Sequence, residues 1–518
     1  MASALPASVA VAVIGAGAMG TGIAQVAAQA GHRVILFDTR EAAAAKAVAG
    51  LRRRFADLAA KYRITQHTAD TASANLAAAE SLGDCGGAGL VIEAIAESLT
   101  AKRSLVQALD ALLDDGAIIA SNTSSLSITA IAAGSKHPPR VAGLHFFNPA
   151  PLMPLVEIVS GLATDSEVAA VLHATAAAWG KTPVHARSTP GFIVNRCARP
   201  FYGEALRLLA ERAADVATID AVMRECGGFR MGPFELMDLV GMDVNFAVTE
   251  SVWKAYFHDP RFAPSFLQRE MVDAGLLGRK SGRGFYDHAA DAVAPQPATE
   301  AAYPPPQRVV VYGELGATAA LVERMRERDV NIEFVSGASP FVHGTHGVVG
   351  VGGAWLAQTD GRTATARAEA TGARDLVVFD LAFDYATCTR AAVARADSCS
   401  DVAYAAAVGA LQSACVAVSR LDDVAGLAVM RSVAMLANEA CDAAKEGIAT
   451  PAAIDVAMQK GVNYPRGPLA WADAIGGARV REVLANLAAH YGEDRYRISP
   501  WLARRAAANM PLADKRGG

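Results

Sequence analysis

Val9-Ala-Val-Ala-Val-Ile14 runs directly into Gly15-Ala-Gly17-Ala-Met-Gly20, and this junction decides the fold. The unbroken apolar run predicts a buried parallel strand, and the glycine triplet predicts a tight turn opening a helix from Thr21 to about Ala30. In a turn of this kind the first glycine permits the bend and the second lets the backbone approach a pyrophosphate. The third lets the helix pack closely on the strand, while the helix N-terminus offers amides to the phosphates. Arg33-Val-Ile-Leu-Phe37 reads as the next strand, with Asp38 at its end, 23 residues after Gly15. A carboxylate there accepts hydrogen bonds from ribose hydroxyls and repels a 2′-phosphate, so NAD is expected over NADP, with Arg40 as the one opposing charge nearby.

Outward from this unit, Glu41 to about Ala79 is alanine-rich and reads as helical, with Arg52, Arg53, Arg54 and Lys61 as a basic cluster. Leu90-Val-Ile-Glu-Ala-Ile95 is a strand with Glu97 and Lys102 beyond its end, and Ala117-Ile-Ile-Ala120 is another that ends in Ser121-Asn122-Thr-Ser124-Ser125. Polar residues at the carboxyl ends of parallel strands lie where a doubly wound sheet binds its ligands. Arg140-Val-Ala-Gly-Leu144 delivers His145 to the same rim. Asn148-Pro149 then breaks the chain, and Leu155-Val-Glu-Ile-Val159 starts a run carrying Glu157, so that a carboxylate can meet an imidazole.

Composition bounds the classes open to the chain. Its 518 residues are 52% hydrophobic and 19% charged, enough for several cores, and a net charge of −4 gives no electrostatic reason to expect nucleic acid. Seven cysteines, at 85, 197, 226, 388, 399, 415 and 441, are scattered without a C-x-x-C pair, so neither a disulfide framework nor a metal site is indicated and a cytoplasmic setting is expected. The N-terminus lacks the pattern of a signal peptide, and no membrane span is read.

These motifs resemble those of the 3-hydroxyacyl-CoA dehydrogenases. The chain carries His-Phe-Phe-Asn-Pro as His145 to Pro149, the Asn-Thr-Ser-Ser run as Asn122 to Ser125, Val-Glu-Ile around Glu157, and Gly191-Phe-Ile-Val-Asn195-Arg196. The resemblance covers about residues 8 to 287 and implies NAD-dependent oxidation of a (3S)-3-hydroxyacyl-CoA to the 3-oxoacyl-CoA. It implies His145, Glu157, Ser124 and Asn195 as the catalytic quartet. It also implies Gly15, Gly17, Gly20, Asp38, Glu97, Lys102, Asn122, Asn148 and Lys280 as cofactor contacts, the basic cluster as a coenzyme A contact, and no metal. Length and arrangement are similar to bacterial members acting on 3-hydroxyadipyl-CoA in phenylacetate breakdown. 3-Hydroxybutyryl-CoA is the alternative substrate, and a catalytically idle NAD-binding structural protein the alternative of a different class.

Beyond the quartet, residues from about Thr189 to Asp287 read as helical, Pro295 to Pro306 as an interdomain linker, and Gln307 to about Ser419 as a degenerate Rossmann-like segment in which helix and strand alternate. A last helical stretch repeats the earlier one: Gly426, Glu439, Asp455, Gly467, Pro468 and Asp473 each stand 235 residues after Gly191, Glu204, Asp220, Gly232, Pro233 and Asp238. Asn195 meets Met430 at this offset, so one active site per chain is expected. The fold class expected is α/β: an N-terminal Rossmann-like doubly wound sheet over 1–188 and an all-helical domain over 189–290. A linker over 291–306, the degenerate Rossmann-like domain over 307–420 and a second helical copy over 421–518 follow. A dimer, or an intrachain pseudo-dimer of the two helical copies, is the expected assembly.

Overall fold

A computed structural model describes residues 2–335, 347–414 and 416–513, so Cys415 lies outside the described residues. The chain divides into two compact units. Of the described residues, one holds 2–196 together with Ala443–Val462, and the other holds Cys197–Asp442 together with 463–513.

In the first unit, β1 (Val11–Ile14), β2 (Val34–Phe37), β3 (Leu76–Ala78), β4 (Leu90–Glu93), β5 (Ile118–Ser121), β6 (Val141–Phe146), β7 (Leu155–Ser160) and β8 (Thr182–Arg187) form one sheet in the order β3-β2-β1-β4-β5-β6-β7-β8. Every neighbouring pair is parallel except β6–β7. The central strands are mostly apolar because helices cover both faces, with polar residues only toward their carboxyl ends, and Val11, Val13, Leu36, Ile92 and Leu144 meet Ile23, Leu51, Phe55 and Trp179 in one core. The helix after the glycine turn spans Ala18–Gln29 and so begins inside the triplet rather than at Thr21. The expected helical stretch after Glu41 forms as helices Ala43–Ala60 and Gln66–Ala74, and then gives way to the edge strand β3.

In the second unit, β9 (Arg308–Tyr312), β10 (Asn331–Val335), β11 (Val348–Val351), β12 (Ala354–Gln358), β13 (Leu376–Phe379), β14 (Arg390–Arg395) and β15 (Ala417–Arg420) run in the order β10-β9-β11-β12-β13-β14-β15. Among the described residues this repeats the order of the first sheet without a counterpart of β3, and one strand is reversed. Between β4 and β5 the chain crosses over through helix Leu99–Asp110, whereas β11 and β12 are joined by Gly352-Gly353 alone, both at positive φ. A two-residue turn can connect only antiparallel strands, so β11 runs against both neighbours and the strict alternation of helix and strand fails there.

The 235-residue offset extends into the strands. β7 and β14 coincide at both ends, as do helices Ser166–Ala178 and Asp401–Ser413, and Pro233–Val240 and Pro468–Ile475. The halves also exchange helices. Pro451–Gly461, from the second repeat, packs on β7 and β8, with Gly461 against Leu155 and Val194. In the other unit Val216–Glu225, from the first repeat, packs on β14, where Arg390 pairs with Glu225 at 3.0 Å. Each exchange is fixed by a mirrored backbone hydrogen bond, Arg187 N–H to Ile448 O at 2.8 Å and Asp422 N–H to Ala213 O at 2.8 Å.

The two helical copies meet in the second unit through buried ion pairs. Arg431 donates to Glu204 at 2.7 Å and to Glu211 at 2.9 Å, and Arg261 donates to Glu439 at 3.1 Å. Residues 291–306 have no regular secondary structure but are pinned: Ala298 N–H donates to Thr218, Glu300 N–H to Val418 O and Tyr303 N–H to Gln412.

Candidate active site

β6 and β7 are the one antiparallel pair of the first sheet, and their register sets His145 directly opposite Glu157. Side chains of directly opposed residues leave the same face of a sheet, so the pairing is dictated by backbone register rather than by side-chain reach. His145 Nδ1 lies 2.6 Å from Glu157 Oε2, with the carboxylate fully buried and the imidazole nearly so. Glu157 Oε1 accepts the backbone N–H groups of Ile193 and Val194 at 3.0 and 3.1 Å. Those amides point at it because Gly191 and Phe192 both take positive φ, 77° and 47°. The carboxylate is thus held at both oxygens, and the imidazole is left to present its other nitrogen. Phe147 and Phe192 flank the ring at centroid distances of 4.5 and 5.8 Å.

A second cluster links the ends of β4 and β5. Glu97 accepts from Thr123 Oγ1 at 2.6 Å, from Ser124 N–H at 3.0 Å and from Ser124 Oγ at 3.4 Å, and pairs with Lys102 at 3.3 Å. Burial alone would raise the Glu97 carboxyl, but the Thr123 hydroxyl and the Lys102 ammonium hold it below the usual range. Asn195 Nδ2 donates to the Ser124 carbonyl at 3.3 Å, which joins the two catalytic candidates, and Asn122 Oδ1 accepts Phe146 N–H at 2.8 Å beside His145. Asn148 stands exposed past the end of β6.

Sequence reasoning passed over Glu93. This fully buried carboxylate takes Lys102 Nζ and Ser121 Oγ at 2.6 Å each and Ile95 N–H at 2.7 Å, and so anchors the lysine that reaches Glu97. Its signal was an acidic residue closing an otherwise apolar strand. Lys280 belongs to the second unit, where it pairs with Asp243.

The glycine turn fits a dinucleotide. A Cβ on Gly15 would lie 2.5 Å from Ala94 O and one on Gly20 would lie 1.8 Å from Gly15 O, whereas one on Gly17 would meet nothing within 4 Å. Two of the glycines are therefore demanded by packing, and the third faces open space at the start of a helix whose N-cap has no side-chain hydrogen bond. Asp38 closes the turn by accepting Ala16 N–H at 2.7 Å and receives Arg40 Nε and Nη2 at 3.0 Å each. Arg40 holds the Asp38 carboxyl far below the ordinary carboxylate range, against the effect of burial. In the basic cluster, Arg52 is tied to the carbonyls of Ser73 and Leu76 and Arg54 to Gln25.

Family models match along most of the chain. The 3-hydroxyacyl-CoA dehydrogenase NAD-binding domain covers residues 10–189, the C-terminal domain of that family covers 191–288 and again 426–517, and a reduced Rossmann-fold domain of 3-hydroxybutyryl-CoA dehydrogenase covers 356–424. The chain belongs to the 3-hydroxyacyl-CoA dehydrogenase family. It is 43% identical to the 3-hydroxyadipyl-CoA dehydrogenase of Escherichia coli over 96% of this chain and 97% of that one. A crystal structure of 3-hydroxybutyryl-CoA dehydrogenase from Escherichia coli superposes with a TM-score of 0.87 at 41% identity, covering 97% of this chain and 99% of that chain. A probable 3-hydroxybutyryl-CoA dehydrogenase of Bacillus subtilis is 41% identical over 53% of this chain and 96% of its own length. The protein is thus an NAD-dependent 3-hydroxyacyl-CoA dehydrogenase of the long form, with a doubly wound sheet, a reduced second sheet and duplicated helical segments. No helix among the described residues is long and apolar enough to cross a membrane.

Proposed function

We propose that this dehydrogenase oxidises (3S)-3-hydroxyadipyl-CoA to 3-oxoadipyl-CoA as a step of phenylacetate breakdown in the cytoplasm, with His145 as the base. The observation that carries the chemistry is the His145–Glu157 pair, opposed in register and 2.6 Å apart. Bound NAD supplies the hydride acceptor. His145 takes the hydroxyl proton through the nitrogen turned away from Glu157, and Glu157 fixes the tautomer and stabilises the imidazolium that results. Ser124 and Asn195, already joined at 3.3 Å, hold the substrate oxygen. Gly15, Gly17, Gly20, Asp38, Asn122, Asn148 and the Glu97–Lys102 pair serve the cofactor, together with Lys280. Arg40 answers Asp38 in place, so its charge is not offered to a 2′-phosphate and NAD is favoured.

The choice of acyl group is supported by near full-length identity to the enzyme named for 3-hydroxyadipyl-CoA. A steady-state panel of 3-hydroxyacyl-CoA substrates differing in length and terminal charge tests it. Higher kcat/KM for 3-hydroxyadipyl-CoA than for 3-hydroxybutyryl-CoA is expected, and the reverse order would assign the shorter substrate. The five-part division at 188, 290, 306 and 420 and the pairing of the helical copies as an intrachain pseudo-dimer belong to the same reading. Limited proteolysis and light scattering test them.

A further inference from the structure

We propose that Glu446, which belongs to the catalytically silent second half, is a positioning residue for Asn195. The inference rests on the reading that Asn195 holds the substrate oxygen. Asn195 stands on Val194–Cys197, a helix of four residues, too short to keep its own pose by internal hydrogen bonding. It is held instead from both sides. On one side the amides of Ile193 and Val194 rest on Glu157. On the other, Arg196, whose side chain is almost wholly buried, reaches Glu446 with two nitrogens, Nη1 at 2.6 Å and Nη2 at 3.3 Å. Glu446 is itself located by its backbone, since its carbonyl accepts Arg187 Nη1 at 2.9 Å and the Ile448 carbonyl accepts Arg187 N–H. A forked guanidinium–carboxylate pair fixes direction as well as distance, so the residue next to Arg196 inherits a defined orientation.

The duplication supplies an internal control. At the 235-residue offset Arg196 and Glu446 answer to Arg431 and Glu211, which pair at 2.9 and 3.1 Å in the other unit. The neighbour of Arg431 is Met430, in the position of Asn195, inside the long helix Val429–Lys445. The same ion pair therefore exists twice, once beside a polar residue of the quartet and once beside a methionine. Loss of either costs folding stability, but only the first should cost turnover.

The test compares Glu446→Ala with Glu211→Ala in the full chain, reading melting temperature and steady-state kinetics with 3-hydroxybutyryl-CoA and NAD. Glu446→Ala is expected to lower kcat about tenfold and to raise KM for the acyl-CoA, because small displacements of a positioning group carry losses of this order, while KM for NAD stays within about twofold. Glu211→Ala is expected to lower the melting temperature by a similar amount with kcat within about twofold of the parent. Reversing the pair, Arg196→Glu with Glu446→Arg, should recover most of the turnover lost by Glu446→Ala. Should Glu446→Ala fold poorly, Glu446→Gln gives the same readout, with a smaller fall in kcat. Unchanged kcat in the Glu446 variants, or an equal fall in Glu211→Ala, would overturn the assignment. Asn195→Ala separates the two layers: normal turnover there removes the role of Asn195 itself, whereas slow turnover there with normal Glu446→Ala removes only the role of Glu446.

Discussion

The two sheets begin from one plan and end with different chemistry, and the difference can be located to two positions. In the first, His145 faces Glu157 across antiparallel strands. At the same offset the second sheet sets Asp380, whose N–H donates to Ala392 O at 2.9 Å, opposite that alanine. Asp380 turns back to the chain and accepts Ala428, Val429 and Met430 N–H at 2.7 to 2.9 Å, and the first two of these amides answer to Ile193 and Val194, which rest on Glu157 in the first half. Gly426 and Leu427 repeat the positive φ of Gly191 and Phe192. One carboxylate thus performs the structural half of the Glu157 role, and the base is gone. The second change is the Gly352-Gly353 turn. With no crossover helix between β11 and β12 there is no counterpart of Lys102, and the polar cluster that gathers Glu97 and Ser124 has nowhere to form.

Breaking this comparison at its centre should give the largest effect. His145→Gln removes the proton acceptor, and kcat is expected to fall about 10²–10⁴-fold with NAD affinity within a few-fold. Near-normal turnover would remove His145 as the base. Asp380→Ala, at the mirrored position, should leave kcat of the folded enzyme unchanged but lower unfolding free energy by about 3 kcal/mol, since buried amides lose their acceptor. Chemical denaturation measures it.

Burial pushes Asp380 up to about 6, with the amides of Ala428, Val429 and Met430, and that of Leu381, which it also accepts at 2.8 Å, pulling the other way. An unfolded aspartate titrates near 3.9, so the native state binds the proton more tightly over the interval between. The stability of the parent relative to Asp380→Ala is therefore expected to be greatest below about pH 4, to fall as the pH rises to about 6, and to be flat above that. A difference that grew over this interval would reverse the sign.

Smaller effects sharpen the comparison. Glu157→Gln keeps the size of the residue but loses the charge, and a fall in kcat of roughly 10- to 100-fold is expected, the worth of one charge-assisted hydrogen bond. Asp38→Ala should weaken NAD by about 1–3 kcal/mol. Because Arg40 keeps Asp38 ionised far into the acid range, and the 2′-phosphate of NADP takes its second charge at about pH 6, the preference for NAD over NADP should not change between about pH 7.5 and 9. Calorimetry should return one NAD per chain, and two would show that the reduced sheet still binds a dinucleotide.

Much of the first half was legible because its chemistry is written in contiguous motifs. The glycine triplet, Asp38 and the run from His145 to Glu157 sit on one or two strands each, so local pattern and site coincide. The helical duplication was legible for a similar reason, since glycines, prolines and buried acids marked it at a constant spacing. The match of the strands at the same offset was not, because any apolar residue satisfies a buried strand: β7 and β14 share their limits but not their key residue, Glu157 against Ala392. The Gly352-Gly353 hairpin signal was present but was read as part of an alternating pattern. Arg196 and Glu446 were hidden for another reason, since they lie 250 residues apart and no local pattern announces the pair.

The pinned stretch 291–306 has a consequence for how the paired halves behave in dilute solution. It links one helical copy to the reduced sheet and the copy beyond it, so the partner of each helical segment is always present at the effective concentration set by a short tether. Separate subunits obey mass action and come apart on dilution, while a tethered pair does not. Specific activity is therefore expected to be independent of enzyme concentration down to the lowest level at which turnover can be followed, and a fall on dilution would instead point to assembly between separate chains.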